Sequence, residues 1–243
     1  NVNAYGKDLG IKEGFATLLE RIEKIDGISW VRFMTSHPRD FSLETVKRMA
    51  QLKKVCEQYH LPVQAGSNRI LAEMKRGYTR EHYLELIAQV RENIQSVSLS
   101  TDIICGFPGE TEAEFNDTLD LIKQVRYETA FMYYYSPREG TAAATMPGQI
   151  DEEIRKARLA KLIEVQNGIG LEESLKLVGQ TLEVLVESEA ARNVGHLVGK
   201  TRTGRSVDFA GSRDLIGSFV DVTIQKARNW TLSGIMTAKK GVG

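Results

Sequence analysis

Apolar positions along the chain fall into two alternating rhythms. Phe15, Leu18, Leu19, Ile22 and Ile25 recur every three or four residues, the spacing of one helical face. Trp30-Val31-Arg32-Phe33-Met34 then reads as a strand ending at Thr35-Ser36-His37-Pro38. Leu43, Val46, Met49 and Ala50 make a second helical face, and Val55-Cys56 leads into "HLPVQAGSN", where Pro62 argues against a regular central strand. Tyr83, Ile87, Val90 and Ile94 form another stripe, and residues 97–105 are the clearest buried strand. Phe115, Leu119, Ile122 and Val125 follow, then "AFMYYYSP" as a strand and a long helix around Leu159, Leu162 and Ile163.

Repeated strand-helix alternation predicts a parallel sheet covered by helices, with ligands beyond the carboxyl ends of the strands. On that reading "TSHP", "VQAGSN", "GFPGET" and "YSPREGT" share one rim. Four loops rich in Gly, Ser and Pro are either plain turns or one site.

After about residue 177 the rhythm changes to strict alternation, Leu182, Val184 and Val186 in one segment and Val220, Val222 and Ile224 in another, with glycines at 195, 199, 204, 211 and 217 between them. About sixty residues of short strands predict a five-stranded, OB-like barrel, a form that often binds single-stranded nucleic acid. The expected division is therefore an α/β part over 1–177, an all-β domain over 178–238 and a tail over 239–243.

Composition adds limits. Lys plus Arg and Asp plus Glu number 32 each among 243 residues, so no whole-molecule field draws the chain to nucleic acid or a membrane. A local excess does exist in the small barrel, where Arg192, Lys200, Arg202, Arg205, Arg213, Lys226 and Arg228 stand against Asp208, Asp214 and Asp221. Lys200, Arg202, Arg205 and Arg228 are the candidates for phosphate contacts, and Trp230 and Phe209 either stack on bases or fill the core. Apolar runs are far shorter than a bilayer requires and "NVNAYGKDLG" lacks the pattern of a secretory leader, so a cytoplasmic protein without a membrane partner is expected. Cys56 and Cys105 lie 49 residues apart inside apolar stretches, which reads as reduced and structural.

The segment "TDIICGFPGET" carries the most chemistry. Asp102 lies on the strand, and Gly106 and Gly109 stand where a backbone can approach a ligand without a side chain between them. Glu110 to Glu114 then supply an acidic first helical turn; a tight strand-to-helix connection with nothing bound fits the same spacing.

"TDIICGFPGETEAEF", "HLPVQAGSNRILAEMKRGYT" and "YYYSPREGTAAATMPGQI" resemble the radical S-adenosylmethionine (SAM) methylthiotransferase family, and "NVNAYG" and "TSHPRDF" resemble its tRNA-modifying branch. Residues 178–238 resemble the TRAM domain, an RNA-binding β-barrel. The resemblance implies the later strands of a radical SAM TIM-like barrel, with the end of its second strand at residues 1–6, followed by TRAM. It implies insertion of a methylthio group at C2 of an isopentenylated adenosine beside the anticodon, with the tRNA anticodon stem-loop as partner. It also implies SAM and two [4Fe-4S] clusters as cofactors of a complete enzyme. The family's C-x-x-x-C-x-x-C motif and a further set of three cysteines are absent here, so no cluster is expected on this chain, which is expected to need a missing N-terminal part and to be inactive alone. For SAM the resemblance points to Gln64 or Asp102 for hydroxyl or ammonium groups, Arg138 for the carboxylate and the backbone at Gly106 to Gly109 for the adenine edge. His37 either meets substrate or serves its turn, and Ser67 and Asn68 fit a helix cap. Two rivals remain open: a non-catalytic tRNA-binding module with the barrel half as scaffold, and a cluster-free TIM-type enzyme whose rim takes phosphate.

Overall fold

A computed structural model describes residues 1–34 and 36–239. Thr35 of the first rim loop and residues 240–243 of the expected tail lie outside the described residues.

The first part alternates as the apolar rhythm demands. Its helices are α1 (Gly14–Glu23), α2 (Leu43–Met49), α3 (Asn68–Glu73), α4 (Arg80–Asn93), α5 (Glu112–Val125) and α6 (Glu152–Leu175). Its strands are β1 (Gln58–His60), β2 (Ser98–Cys105) and β3 (Thr129–Tyr134), all parallel in the order β1-β2-β3. Side chains alternate across a strand. Leu99, Thr101, Ile103 and Cys105 of β2 are buried, joining Tyr83, Leu121 and Ile122 of the covering helices in one core except for the polar Thr101. The even residues Ser98, Ser100, Asp102 and Ile104 point to the other, largely polar face.

Two expected strands are shorter than their apolar runs. Trp30–Met34 makes only the parallel bridge Val31↔Val55, through Val31 N–H to Lys54 O (2.7 Å) and Cys56 N–H to Val31 O (2.9 Å). The segment expected as a strand end at residues 1–6 instead holds a 3-10 turn, Val2–Ala4. β1 stops at His60 because Pro62 has no N–H to continue a ladder; the chain rejoins the sheet at the single bridge Gln64↔Ile103.

Helix starts follow local chemistry. Thr111 caps α5 in a full capping box with Glu114, whose carboxylate also takes Arg69 at 2.6 Å. The Arg69 hydrogen bonds hold the Glu114 carboxyl down to about 2. Ser67 caps α3, and Asn68 bonds Glu81 and the Arg80 N–H, so both serve the fold. His37 is a turn residue: its Nδ1 accepts the Arg39 N–H at 3.3 Å, and burial lowers its pKa.

The second part is a closed barrel of β4 (Thr181–Glu189), β5 (His196–Thr201), β6 (Ser206–Ala210), β7 (Phe219–Ala227) and β8 (Thr231–Lys239), ordered β4-β5-β6-β8-β7. Val184, Val186, Val207, Phe209, Val220 and Val222 fill its separate core, so Phe209 is a core aromatic.

Candidate functional site

Beyond the carboxyl ends of β2 and β3 lies a cavity of about 540 Å³ lined by Gln64, Asp102, Ile104, Tyr133, Tyr135 and Arg138, among others. A second cavity of about 560 Å³ shares Gln64, Ile104 and Tyr135 with it and adds Met74, Phe107 and Met146. Together they form one groove with a polar and an apolar half, of a size that holds a nucleoside-like ligand. Gln64 is fixed at the divide. Its N–H donates to Asp102 O and its own O accepts from Ile104 N–H, both at 2.9 Å, while its φ is +75°. A non-glycine residue held in that region costs roughly 1–3 kcal/mol and is typical of ligand clamps.

Asp102 is half-buried, with His60 Nε2 3.4 Å from its carboxylate; His60 Nδ1 lies 3.0 Å from Ser100 Oγ. Arg138 makes no ion pair among the described residues, with its neighbour Glu139 or with any other carboxylate. The Tyr135 hydroxyl is buried without a hydrogen-bond partner. A carboxylate, a free guanidinium, an amide and an unpaired phenol beside an apolar wall match the ammonium, carboxylate, hydroxyls and adenine face of SAM.

Gly106 and Gly109 behave differently from expectation. Both have positive φ, +72° and +76°, but their N–H groups are consumed internally, Gly106 by the Glu110 carboxylate at 2.7 Å and Gly109 by Gly148 O at 2.8 Å. A Cβ on Gly106 would come within 2.5 Å of Arg155 Cγ, so its missing side chain admits α6 rather than a ligand. Within this turn it is Phe107 that reaches the groove. Glu110, read from the sequence as part of an acidic cap, is instead buried against Arg158 at 2.8 Å. Burial pushes its carboxyl up, opposed by the Gly106 N–H and Arg158. The local charge spacing gives no sign of that pair, because its partner lies 48 positions away.

The parallel sheet and the small barrel meet at the amino ends of the sheet's strands. Trp30 packs edge-on to Phe219 with centroids 4.8 Å apart, and Arg32 donates to Thr201 O at 2.5 Å. Arg202 grips Glu57 with Nε and Nη2, each at 2.8 Å, and also donates to Val55 O and Lys53 O. Arg205 is only 8% exposed and donates to Ser174 Oγ at 3.0 Å. Burial lowers its pKa. Arg202 and Arg205 are therefore turned into the junction and not toward a phosphate backbone, a correction the sequence could not supply because Glu57 and Ser174 are distant in the chain. Lys200 lines a junction cavity of about 270 Å³ beside Arg205, and Trp230 borders the same cavity. Of the four basic candidates, Arg228 alone lies in a cleft with Lys226, on the outer wall of the small barrel.

Cys56 and Cys105 are free and buried. Burial pushes the Cys105 thiol up to about 12. Among the described residues no group of three metal-ligating side chains comes together, so this chain's residues do not fit an iron–sulfur cluster.

A family model of the Radical SAM superfamily matches residues 5–122, and a TRAM domain model matches residues 175–237. The chain carries radical SAM and TRAM domains. The tRNA-2-methylthio-N(6)-dimethylallyladenosine synthase of Pelotomaculum thermopropionicum is 53% identical over 98% of this chain, which covers 53% of that protein. The enzyme of the same name from Moorella thermoacetica is 53% identical over 97% of the chain, again covering 53% of its length. The chain thus spans about half the length of the curated relatives it matches. Among solved structures, the radical SAM enzyme coproporphyrinogen III oxidase (HemN) from Escherichia coli overlays with a TM-score of 0.51 at 11% identity, covering 86% of this chain and 51% of that one. That likeness supports the helix-covered parallel sheet read from the alternation of strands and helices. In these terms the groove lies on the radical SAM domain and the Lys226–Arg228 cleft on the TRAM barrel.

Proposed function

We propose that the chain is the SAM-binding and RNA-binding portion of a tRNA methylthiotransferase acting at C2 of an isopentenylated adenosine next to the anticodon. The observation that carries this reading is the gathering of Gln64, Asp102 and Arg138 around one groove at the carboxyl ends of the strands, in a chain 53% identical to synthases of that name. SAM and two [4Fe-4S] clusters supply the radical and sulfur chemistry when bound, and the cluster ligands belong to sequence outside this chain.

Within the groove, Arg138 pairs with the carboxylate of the amino-acid moiety and Asp102 accepts hydrogen bonds from its ammonium or from ribose hydroxyls. Phe107, Met74 and Met146 seat the adenine and exclude water. His60, braced on Ser100, orients the Asp102 carboxylate. The anticodon stem-loop is the RNA partner, and the reaction belongs in the cytoplasm; no helix among the described residues is long and apolar enough to cross a membrane. The reading of a non-catalytic tRNA-binding module is not favoured, because a scaffold has no use for a strained Gln64 and an unpaired Arg138 in one groove.

The test is binding of S-adenosylhomocysteine to the full-length polypeptide, with methylthio-nucleoside in its tRNA measured by mass spectrometry. Asp102→Asn and Arg138→Ala are expected to weaken binding at least tenfold and to reduce the modified nucleoside. Wild-type binding in both variants would remove the groove assignment.

A further inference from the structure

The TRAM barrel carries a cleft of about 420 Å³ lined by Asn193, His196, Asp208, Lys226, Arg228 and Ser233, among others. Its place in the fold is informative. Asn193 belongs to the β4–β5 loop, His196 to β5, Asp208 to β6, Lys226 to the end of β7, Arg228 to the β7–β8 loop and Ser233 to β8. In five-stranded barrels of this kind, the face of the second and third strands with the first and fourth loops receives oligonucleotides.

The polar groups in this cleft are ordered. Asp208 takes His196 Nδ1 on one carboxylate oxygen at 2.6 Å and Asn193 Nδ2 on the other at 3.0 Å. A carboxylate can only accept, so the ring proton sits on Nδ1. The other ring nitrogen, Nε2, has no hydrogen bond among the described residues, and in the neutral ring it is the acceptor left to this cleft-lining side chain. Lys226 and Arg228 are exposed and join no ion pair among the described residues. Two free cations beside one oriented hydrogen-bond acceptor suit a ligand that offers an anion and a neutral hydroxyl at adjacent positions. A ribonucleotide unit has both, a phosphodiester and a 2′-hydroxyl, and a deoxyribonucleotide lacks the second.

We infer that this cleft binds one ribonucleotide of single-stranded RNA, with Lys226 and Arg228 on its phosphate and His196 Nε2 accepting from the 2′-hydroxyl, so that His196 makes the barrel prefer RNA over DNA. The inference rests on the RNA-binding reading above but assigns it to residues different from those at the domain junction. Asp208 is a positioning residue: it fixes the ring and its tautomer without touching the nucleotide.

The experiment is fluorescence anisotropy of the whole protein with a labelled single-stranded oligoribonucleotide and its 2′-deoxy counterpart, with U replaced by dU so that only the hydroxyls differ. His196→Ala is expected to lose roughly 5–10-fold in RNA affinity while DNA affinity changes less than about twofold. Lys226→Ala and Arg228→Ala are expected to weaken RNA and DNA alike and to lower the salt dependence by about one unit each. Asp208→Asn is expected to erode the RNA preference in part, since an amide can offer its N–H and leave the tautomer unfixed. These positions are on the barrel's outer wall, and an unchanged thermal midpoint would show that the variants fold. An RNA-to-DNA ratio unchanged in His196→Ala, with RNA still bound, would overturn the role of His196 and leave the RNA reading intact. Absence of RNA binding by the wild-type protein would overturn both.

Discussion

Replacing Arg202 with alanine separates a structural arginine from an RNA-binding one. Its guanidinium makes two hydrogen bonds to the Glu57 carboxylate, one to Val55 O and one to Lys53 O, at 2.8 to 3.0 Å, and lies 5.8 Å from the Trp30 ring centroid. The Arg202 and Glu57 side chains are 26% and 28% exposed, so solvent screens the pair only in part and would rehydrate Glu57 incompletely after the loss. Charge-assisted bonds of this kind contribute about 1.5–3 kcal/mol each, but four made by one group are far from additive. A net cost of about 2–3 kcal/mol is expected, which for a chain of this length is a fall of about 5–10 °C in Tm. Arg202→Lys keeps the charge and loses the fork, and about half the loss should remain. The assays are a thermal melt and RNA binding as a function of salt. A Tm within about 1 °C of wild type together with weaker, less salt-dependent RNA binding would refute the junction assignment; the expected result is the reverse, with RNA affinity held within about twofold.

Other outcomes follow from single groups. The folded Glu114 carboxyl, held at about 2 by Arg69, lies below the unfolded value near 4.3, so its stabilisation is full above about pH 5 and lost as pH falls toward 2. The Tm gap between wild type and Glu114→Gln should therefore close over that window, and a gap independent of pH would count against the pairing. With its thiol pushed up to about 12, Cys105 should resist iodoacetamide at pH 8 in the folded protein and react only in denaturant; alkylation at the rate of a free thiol would contradict its burial. Gly66→Ala would place a Cβ 2.4 Å from Asp117 O and 2.5 Å from Thr118 Cα, and a loss of about 2 kcal/mol or more in denaturant melts is expected, with no loss sinking the close-approach argument.

Most of the fold was legible in the sequence because it is written in local periodicity. The stripe Phe115, Leu119, Ile122, Val125 became α5, and the apolar run at 97–105 became β2 almost residue for residue. The alternation after residue 177 became a closed five-stranded barrel. Trp30–Met34 failed as a full strand because strand length depends on partners, and only Val31 finds one. The site divided along the same line. Gln64, Asp102 and Arg138 were singled out by residue type and motif, and the topology brings them together. At Gly106 and Gly109 a missing side chain announces close approach without saying what approaches, and their N–H groups are held by Glu110 and Gly148. Arg202 and Arg205 were misread because charge counting cannot distinguish a cation facing water from one folded onto Glu57 or Ser174. The ordering of His196 by Asp208 was invisible for the same reason, since the contact spans β5 and β6.

The junction has a consequence for where chemistry happens. Trp30, Arg32, Arg202 and Arg205 clamp the small barrel to one end of the parallel strands, while the groove opens at the other end. On the proposed roles of cleft and groove, two stations fastened to opposite ends of one sheet would work as a caliper. A strand of RNA gripped at the cleft would be offered to the groove at a set reach, so that nucleotide choice is made partly by distance along the strand and not by base contacts alone. Loosening the clamp should then blur the position that is modified before it abolishes modification.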